Sequence, residues 1–415
     1  MKLGATTIRR EFSSLFELPN AASRITSMEG MRGYAVLLVF LVHHHTLFSH
    51  LLPPSSLLYG LSEFGHDIGH SGVDLFFVLS GYLIYGHVFQ KAPGYFSYLR
   101  KRVRRIYPVF FTVFCFYLLA SFWIPSISKL PHSPFNAVVY LIENLLFLPG
   151  IFPIDAMITV SWSLSYEFFF YLCVPLVVGA TGMRRWNHSR RTAFFLGLLL
   201  LHFAGYYFGV LPHIRLSLFI AGILLFETID SRRTKGRLPA LGEFLAIGLY
   251  AAAILALCLF EFSDTRIAFH PHFPNRASVY WSAFLSVGLF GLTLYTISYK
   301  GLLRALFNAP PLRWLGNMSY SYFLCHAMVL NGAAFALRGG FAPPTLSPAM
   351  FLVLLILNLA LTLAGSLVLF TLVEKPFSLL VKPSRAARSV APESGAQEPP
   401  QELSAVSAAT GNPGK

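Results

Sequence analysis

Charge is scarce in this 415-residue sequence: 12% of residues are charged, against 55% hydrophobic. A soluble domain carries roughly a quarter charged residues to wet its surface, so a water-soluble globule is excluded. Cysteine is also rare. Cys115, Cys173, Cys258 and Cys325 each lie inside an apolar run, with no CxxC pair, which excludes a disulfide framework or a structural zinc site. No dinucleotide fingerprint, phosphate-cradling glycine loop or internal repeat is present, and GHDIGH (65–70) and SGY (80–82) do not form a nucleophile elbow. The net charge of +14 sits in short stretches between hydrophobic runs, so nucleic acid is not an expected partner. Arg9, Arg10, Glu11 and Arg24 precede any long apolar stretch, and no cleaved signal peptide is expected.

What is present is hydrophobicity in bilayer-length pieces, with a mean hydropathy of +0.60. An apolar core about 30 Å thick needs about 20 apolar residues in a helix. Ten runs qualify, near 33–52, 68–89, 106–124, 162–179, 193–211, 213–229, 242–262, 278–298, 315–337 and 349–373. The expected fold is therefore an all-α integral membrane protein of about ten transmembrane helices. A shorter apolar stretch, 135–150, carries Glu143 and Asn144 and reads as interfacial or re-entrant. Of the 32 Lys and Arg residues, all but Lys129, Arg215, Arg266, Arg276 and Arg338 fall on one side of this alternation. By the positive-inside rule both termini are expected in the cytoplasm. Residues 1–27 form a cytoplasmic segment, 28–380 the membrane domain, and 381–415, rich in Pro, Ser, Ala and Glu, a tail of disordered composition.

Ionisable groups inside spans are costly and mark function by default. Arg32 and His43 are eleven residues apart, which at 100° per residue leaves them only about 20° apart in azimuth and roughly 16 Å apart in height. His43 thus lies near mid-bilayer, where an imidazole can take a proton from an attacking hydroxyl. The competing reading of the HHH run at 43–45 is that it marks the outer end of the span, with imidazoles among headgroups; His44 and His45 are assigned to it. Asp74, in GVDLFFVLSGYLI, lies about 9 Å below the outer end of its span, and Glu167, in SWSLSYEFFFYL, about 8 Å below its own. Each is either functional or a packing acid favoured by a helix dipole. In YLRKRVRRIYP, Arg102 and Arg105 share a helix face; they serve either as a topology signal or as a dock for an anionic, phosphate-bearing donor. His66, Asp67 and His70 share helical spacing, but their Gly-rich context reads as a solvated external loop, and no metal site is expected.

In order along the chain, MRGYAVLLVFLVH, GVDLFFVLSGYLI, RKRVRRIYP, WSLSYEFFFY, LGNMSYSYFLCH and VEKPF resemble the motifs of the acyltransferase 3 family, over about residues 25–380. The family comprises integral-membrane enzymes that move acyl groups from cytoplasmic coenzyme A thioesters onto carbohydrates and other hydroxylated acceptors. The resemblance implies that His43 is the catalytic base, Arg32 its essential partner and Glu167 a further functional residue. It implies that Arg102 and Arg105 help to hold the donor, and that Asp74, Ser80, Ser163, Tyr320 and His326 line the substrate path. It further implies acyl-CoA, acetyl-CoA by default, as donor substrate with no resident cofactor. The acceptor would be a carbohydrate or glycoside, and the location a bacterial inner (cytoplasmic) membrane among lipids. Longer members add a hydrolase-type domain, and this sequence is expected to be the stand-alone transferase unit. A covalent acyl-histidine path, which would give ping-pong kinetics, and a rival class, a proton-coupled transporter or flippase, stand beside this reading.

Overall fold

The structure is a computed structural model that describes residues 15–17, 24–125, 128–232, 238–259, 276–338 and 345–379. The expected tail (381–415) and most of the N-terminal segment lie outside the described residues. Every described element is helical, apart from one isolated bridge between Pro149 and Phe152. In chain order they are α1 (Thr26–Phe48), α2 (Leu57–Gly69), α3 (Ser71–Lys91), α4 (Tyr95–Trp123), α5 (Pro134–Leu145), α6 (Trp162–Ala180) and α7 (His188–Tyr207). There follow α8 (Leu216–Arg232), α9 (Ala240–Leu259), α10 (Arg276–Ser298), the short α11 (Leu302–Phe307) and α12 (Pro310–Asn317), then α13 (Ser319–Ala336) and α14 (Pro348–Leu369). From α14 the chain continues into a π-type helix, Phe370–Leu379.

Seven of these stretches are long and apolar enough to cross a bilayer. The expected runs at 193–211, 213–229 and 315–337 are also helical, but α8 has only 17 residues, and α7 and α13 are diluted by polar groups such as Arg190, Arg191, His202, His326 and Asn331. The stretch 135–150 forms a 12-residue helix and a turn, too short to cross. Asn144 closes that turn, accepting from Met157 N–H at 2.8 Å and donating to the Asp155 carbonyl at 3.3 Å.

Exposed side chains include Phe111, Phe116, Leu119 and Phe122 on α4 and Val353, Ile356 and Leu357 on α14. Apolar faces of that extent belong against lipid tails. The chain is a multi-pass membrane protein. Polar groups also lie inside: Glu227 is fully buried, ion-paired with Arg191 at 2.8 Å, within 3.0 Å of His188 Nδ1, and accepts from Tyr85 at 2.6 Å.

Lipid tails are as apolar as leucine, so helices in a bilayer associate through close packing at small residues. Helix α1 is the hub. A β-carbon on Gly33 would collide with the Leu312 carbonyl of α12, and one on Gly316 of α12 with the Glu29 carbonyl of α1. The LGN motif is therefore where two backbones touch. Glu29 clamps the same crossing, bridging Arg24 at 3.2 Å and Arg313 at 3.3 Å. Gly316→Ala should cost about 1–3 kcal/mol, as overpacking does, and should lower the thermal unfolding midpoint in detergent; an unchanged midpoint would show that the crossing can relax.

One sequence expectation fails here. Residues 65–70 are not a solvated loop: His66 and Asp67 lie in α2, and His70 is itself in right-handed helical conformation (φ −58°, ψ −33°). Gly65 packs near Leu41, and a β-carbon on Gly69 would lie 2.5 Å from the Leu38 carbonyl. These glycines permit a close helix approach, the opposite of their loop reading. Helices α2 and α3 make a run of 35 residues, roughly 52 Å at 1.5 Å per residue, so one end projects beyond the apolar layer. Depths counted from residue 68 lose their starting point accordingly.

Candidate active site

Five helices converge on a cavity of about 150 Å³. Arg32 enters from α1, Ser80 from α3, Arg102 and Arg105 from α4, and Ser163, Glu167 and Tyr171 from α6; Ser319, Tyr320 and Phe323 at the start of α13 complete the wall. Arg102 and Arg105 reach it together because positions three apart share a helix face. Three arginines against one carboxylate give the wall a net positive charge.

Glu167, Arg102 and Arg105 are each held in place. Glu167 Oε1 accepts from Ser80 Oγ at 3.1 Å and from Tyr171 OH at 2.7 Å, one turn further along α6. The Arg102 guanidinium lies over the rings of Tyr98 (5.0 Å) and Tyr171 (5.2 Å), a cation–π arrangement, while its Nε is buried without a hydrogen-bond partner. Arg105 Nη1 pairs with Glu374 Oε1 at 3.1 Å. The other oxygen of Glu374 accepts from Ser321 N–H at 3.1 Å and Ser321 Oγ at 2.6 Å. Tyr320 OH donates to the Ile106 carbonyl at 2.8 Å, joining α13 to α4. Ser163 donates within its own turn to Val160, at 3.2 Å.

His43 is not in the wall. It lies on the same uninterrupted helix as Arg32, three turns along, with its ring 5.2 Å from that of His326. Phe323 stands between the two regions: it lines the cavity, its ring is 5.7 Å from His326 and 6.4 Å from Phe76, another wall residue. An aromatic constriction thus separates a cationic chamber from a histidine pair.

Asp74 lies apart from the wall, pairing with Arg215 at 3.6 Å while Arg215 covers Trp162 at 5.3 Å. Sequence reasoning had no partner to give it, since Arg215 is 141 positions away along the chain. His44, expected among headgroups, is instead buried between Phe40, Phe48 and Phe351, because one residue's rotation from His43 turns it toward α14. His45 stays at the helix end, its Nδ1 3.0 Å from Ser62 Oγ and its ring 4.9 Å from His66. His66 Nδ1 in turn contacts Asp67 at 3.1 Å.

Tyr171 and Glu374 went unassigned at the sequence level. Tyr171 could have been found, since it is Glu167 plus four, one helical turn. Glu374 stands in VEKPF, but nothing in that motif points to an arginine 269 positions earlier.

A membrane-embedded helical protein with arginines and a carboxylate grouped in one cavity, and a histidine pair beside it, has the makings of a group-transfer enzyme. The family model described as "Acyltransferase domain" matches residues 25–370, and the chain belongs to that acyltransferase 3 family. Relatives include Acyltransferase MdmB of Streptomyces mycarofaciens, 26% identical and covering 92% of this chain and 99% of the relative. Exopolysaccharide production protein ExoZ of Rhizobium meliloti is 26% identical over 81% of this chain and 97% of its own. Peptidoglycan O-acetyltransferase OatA of Listeria monocytogenes is 26% identical over 74% of this chain, but only 49% of its own length. No solved structure matches the chain. The protein is an acyl-transferring enzyme.

Proposed function

We propose that the protein moves an acyl group, acetyl by default, from cytoplasmic acyl-CoA to a hydroxyl of a carbohydrate or glycoside on the far side of a bacterial inner membrane. Ten spans with both termini cytoplasmic complete this reading and put the arginine chamber at the cytoplasmic end. The observation that carries it is the meeting of Arg32, Arg102 and Arg105 in one cavity on the helix face that also bears His43. Arginine forks bind phosphate bidentately, so the donor's phosphates are held at the chamber mouth. Its thioester arm, flexible and uncharged, reaches toward His43 by displacing the edge contact of Phe76 with Phe323.

His43 removes the proton of the acceptor hydroxyl as the oxygen attacks the thioester carbonyl. The tetrahedral centre collapses, the C–S bond breaks, and the leaving thiolate takes the proton back from His43. Products are an ester and free coenzyme A, with His43 restored. Glu167 offsets part of the arginine charge and orients Ser80 and Tyr171. Asp74 and Ser163 support the far side and the wall.

Sealed inside-out membrane vesicles given labelled acetyl-CoA should label endogenous glycan, and sealed right-side-out vesicles should not; equal labelling from both faces would overturn the cytoplasmic donor. In the same assay Arg102→Ala should raise KM for acetyl-CoA about tenfold or more, the worth of one hydrogen bond to a charged group, with a smaller change in kcat. An unchanged KM would remove Arg102 from donor binding.

A further inference from the structure

His326 is fully buried on α13, with Tyr322 stacked on its ring at 6.1 Å and 14°, so it cannot turn freely. Its Nδ1 lies 3.2 Å from the carbonyl oxygen of Tyr322. A carbonyl only accepts, so Nδ1 carries the proton and donates it. Nε2 is then left with a bare lone pair. That atom is buried and makes no hydrogen bond in the resting structure. A buried polar atom without a partner is costly and rare in proteins, and this one belongs to the ring that lies 5.2 Å from His43. One N–H···N hydrogen bond between two imidazoles spans such a separation.

We propose that His326 is the positioning partner of His43, an inference that rests on the base assignment above. When His43 takes the acceptor's proton on one nitrogen, its other N–H donates to Nε2 of His326. The lone pair, unused at rest, stabilises the imidazolium when it forms and holds the ring with its basic nitrogen toward the acceptor. His326 keeps its own proton on Nδ1 throughout, and no net charge reaches it. The proton on His43 goes to the departing thiolate as before. The role is that of an orienting acceptor behind a general base, filled here by a neutral ring fixed by its own helix backbone.

The test compares wild type with H326Q, H326N, H326F and H43A in sealed inside-out vesicles, with labelled acetyl-CoA and matched protein levels. Glutamine places an amide oxygen near the Nε2 position and so keeps an acceptor; asparagine reaches only the Nδ1 position, and phenylalanine has neither. We expect kcat to fall about 10–100-fold in H326F and H326N, the usual cost of an orienting partner, with KM for acetyl-CoA unchanged. H326Q should recover most of that loss. Equal losses in all three variants would overturn the acceptor role, as would an H326F enzyme within threefold of wild type. Should H326F fail to fold, the H326Q and H326N pair, both polar and similar in size, decides alone. An active H43A would sink the base assignment itself and this inference with it; an inactive H43A with no difference between H326Q and H326N sinks only the inference.

Discussion

Replacing His43 with alanine is expected to reduce acyl transfer by about 10²- to 10⁴-fold, the contribution of a positioned general base, while leaving KM for acetyl-CoA close to wild type. The split follows from the geometry. The arginines belong to the chamber wall and His43 does not, so under the proposed mechanism a donor should still dock on Arg32, Arg102 and Arg105 when the imidazole is gone. What disappears is proton removal from the acceptor, an effect made in the transition state and read in kcat. Fold should survive, because His43 is only partly buried and its ring contacts His326 rather than a close backbone crossing. The assay is label transferred per molecule of protein, with abundance and thermal midpoint checked in parallel. A variant with near-wild-type kcat would remove His43 from the chemistry. A variant with normal kcat but a raised KM would make it a binding residue instead.

Helical class and lipid-facing surface were legible because bilayer spans announce themselves by length and hydropathy alone. The pairing of Arg32 with His43 on one face was equally legible, since eleven residues is close to three whole turns. Arg102 and Arg105 followed from the same periodicity. Contacts between distant helices were not legible. Asp74 with Arg215, Arg105 with Glu374 and His43 with His326 each join helices far apart in the chain. Glycine misled in GHDIGH, where it was taken for loop chemistry. In a bilayer the same residue more often marks two backbones in contact, as Gly69 and Gly316 do here. The runs at 193–211 and 315–337 are helical as expected, but which of their polar side chains face the bundle was not legible: His202 lies 3.0 Å from the His213 carbonyl, and His326 is fully buried.

Loss of Glu374 should damage both stability and donor use, and the two effects share one cause. Its carboxylate is fully buried in the π-type helix, a form that recurs at functional sites, and it ties α4 to α13 through Arg105 and Ser321. Breaking a buried ion pair costs about 3–5 kcal/mol. Arg105 retains 24% side-chain exposure, and water can solvate part of the abandoned charge, so about 2 kcal/mol is the better expectation for Glu374→Gln. Glu374→Ala should cost more, because the backbone N–H of Ser321 also loses its acceptor. Both variants should lower the thermal unfolding midpoint in detergent, alanine further than glutamine. Arg105, no longer held toward the cavity, should then bind the donor less well, and kcat/KM for acetyl-CoA should fall toward the value of Arg105→Ala. The double variant Glu374→Gln with Arg105→Ala separates this from general loosening. If the carboxylate acts through Arg105, the double variant should be little worse than Arg105→Ala alone, a coupling of about 0.5–3 kcal/mol. Strict additivity would mean that Glu374 supports the helices at Ser321 and leaves the arginine to position itself.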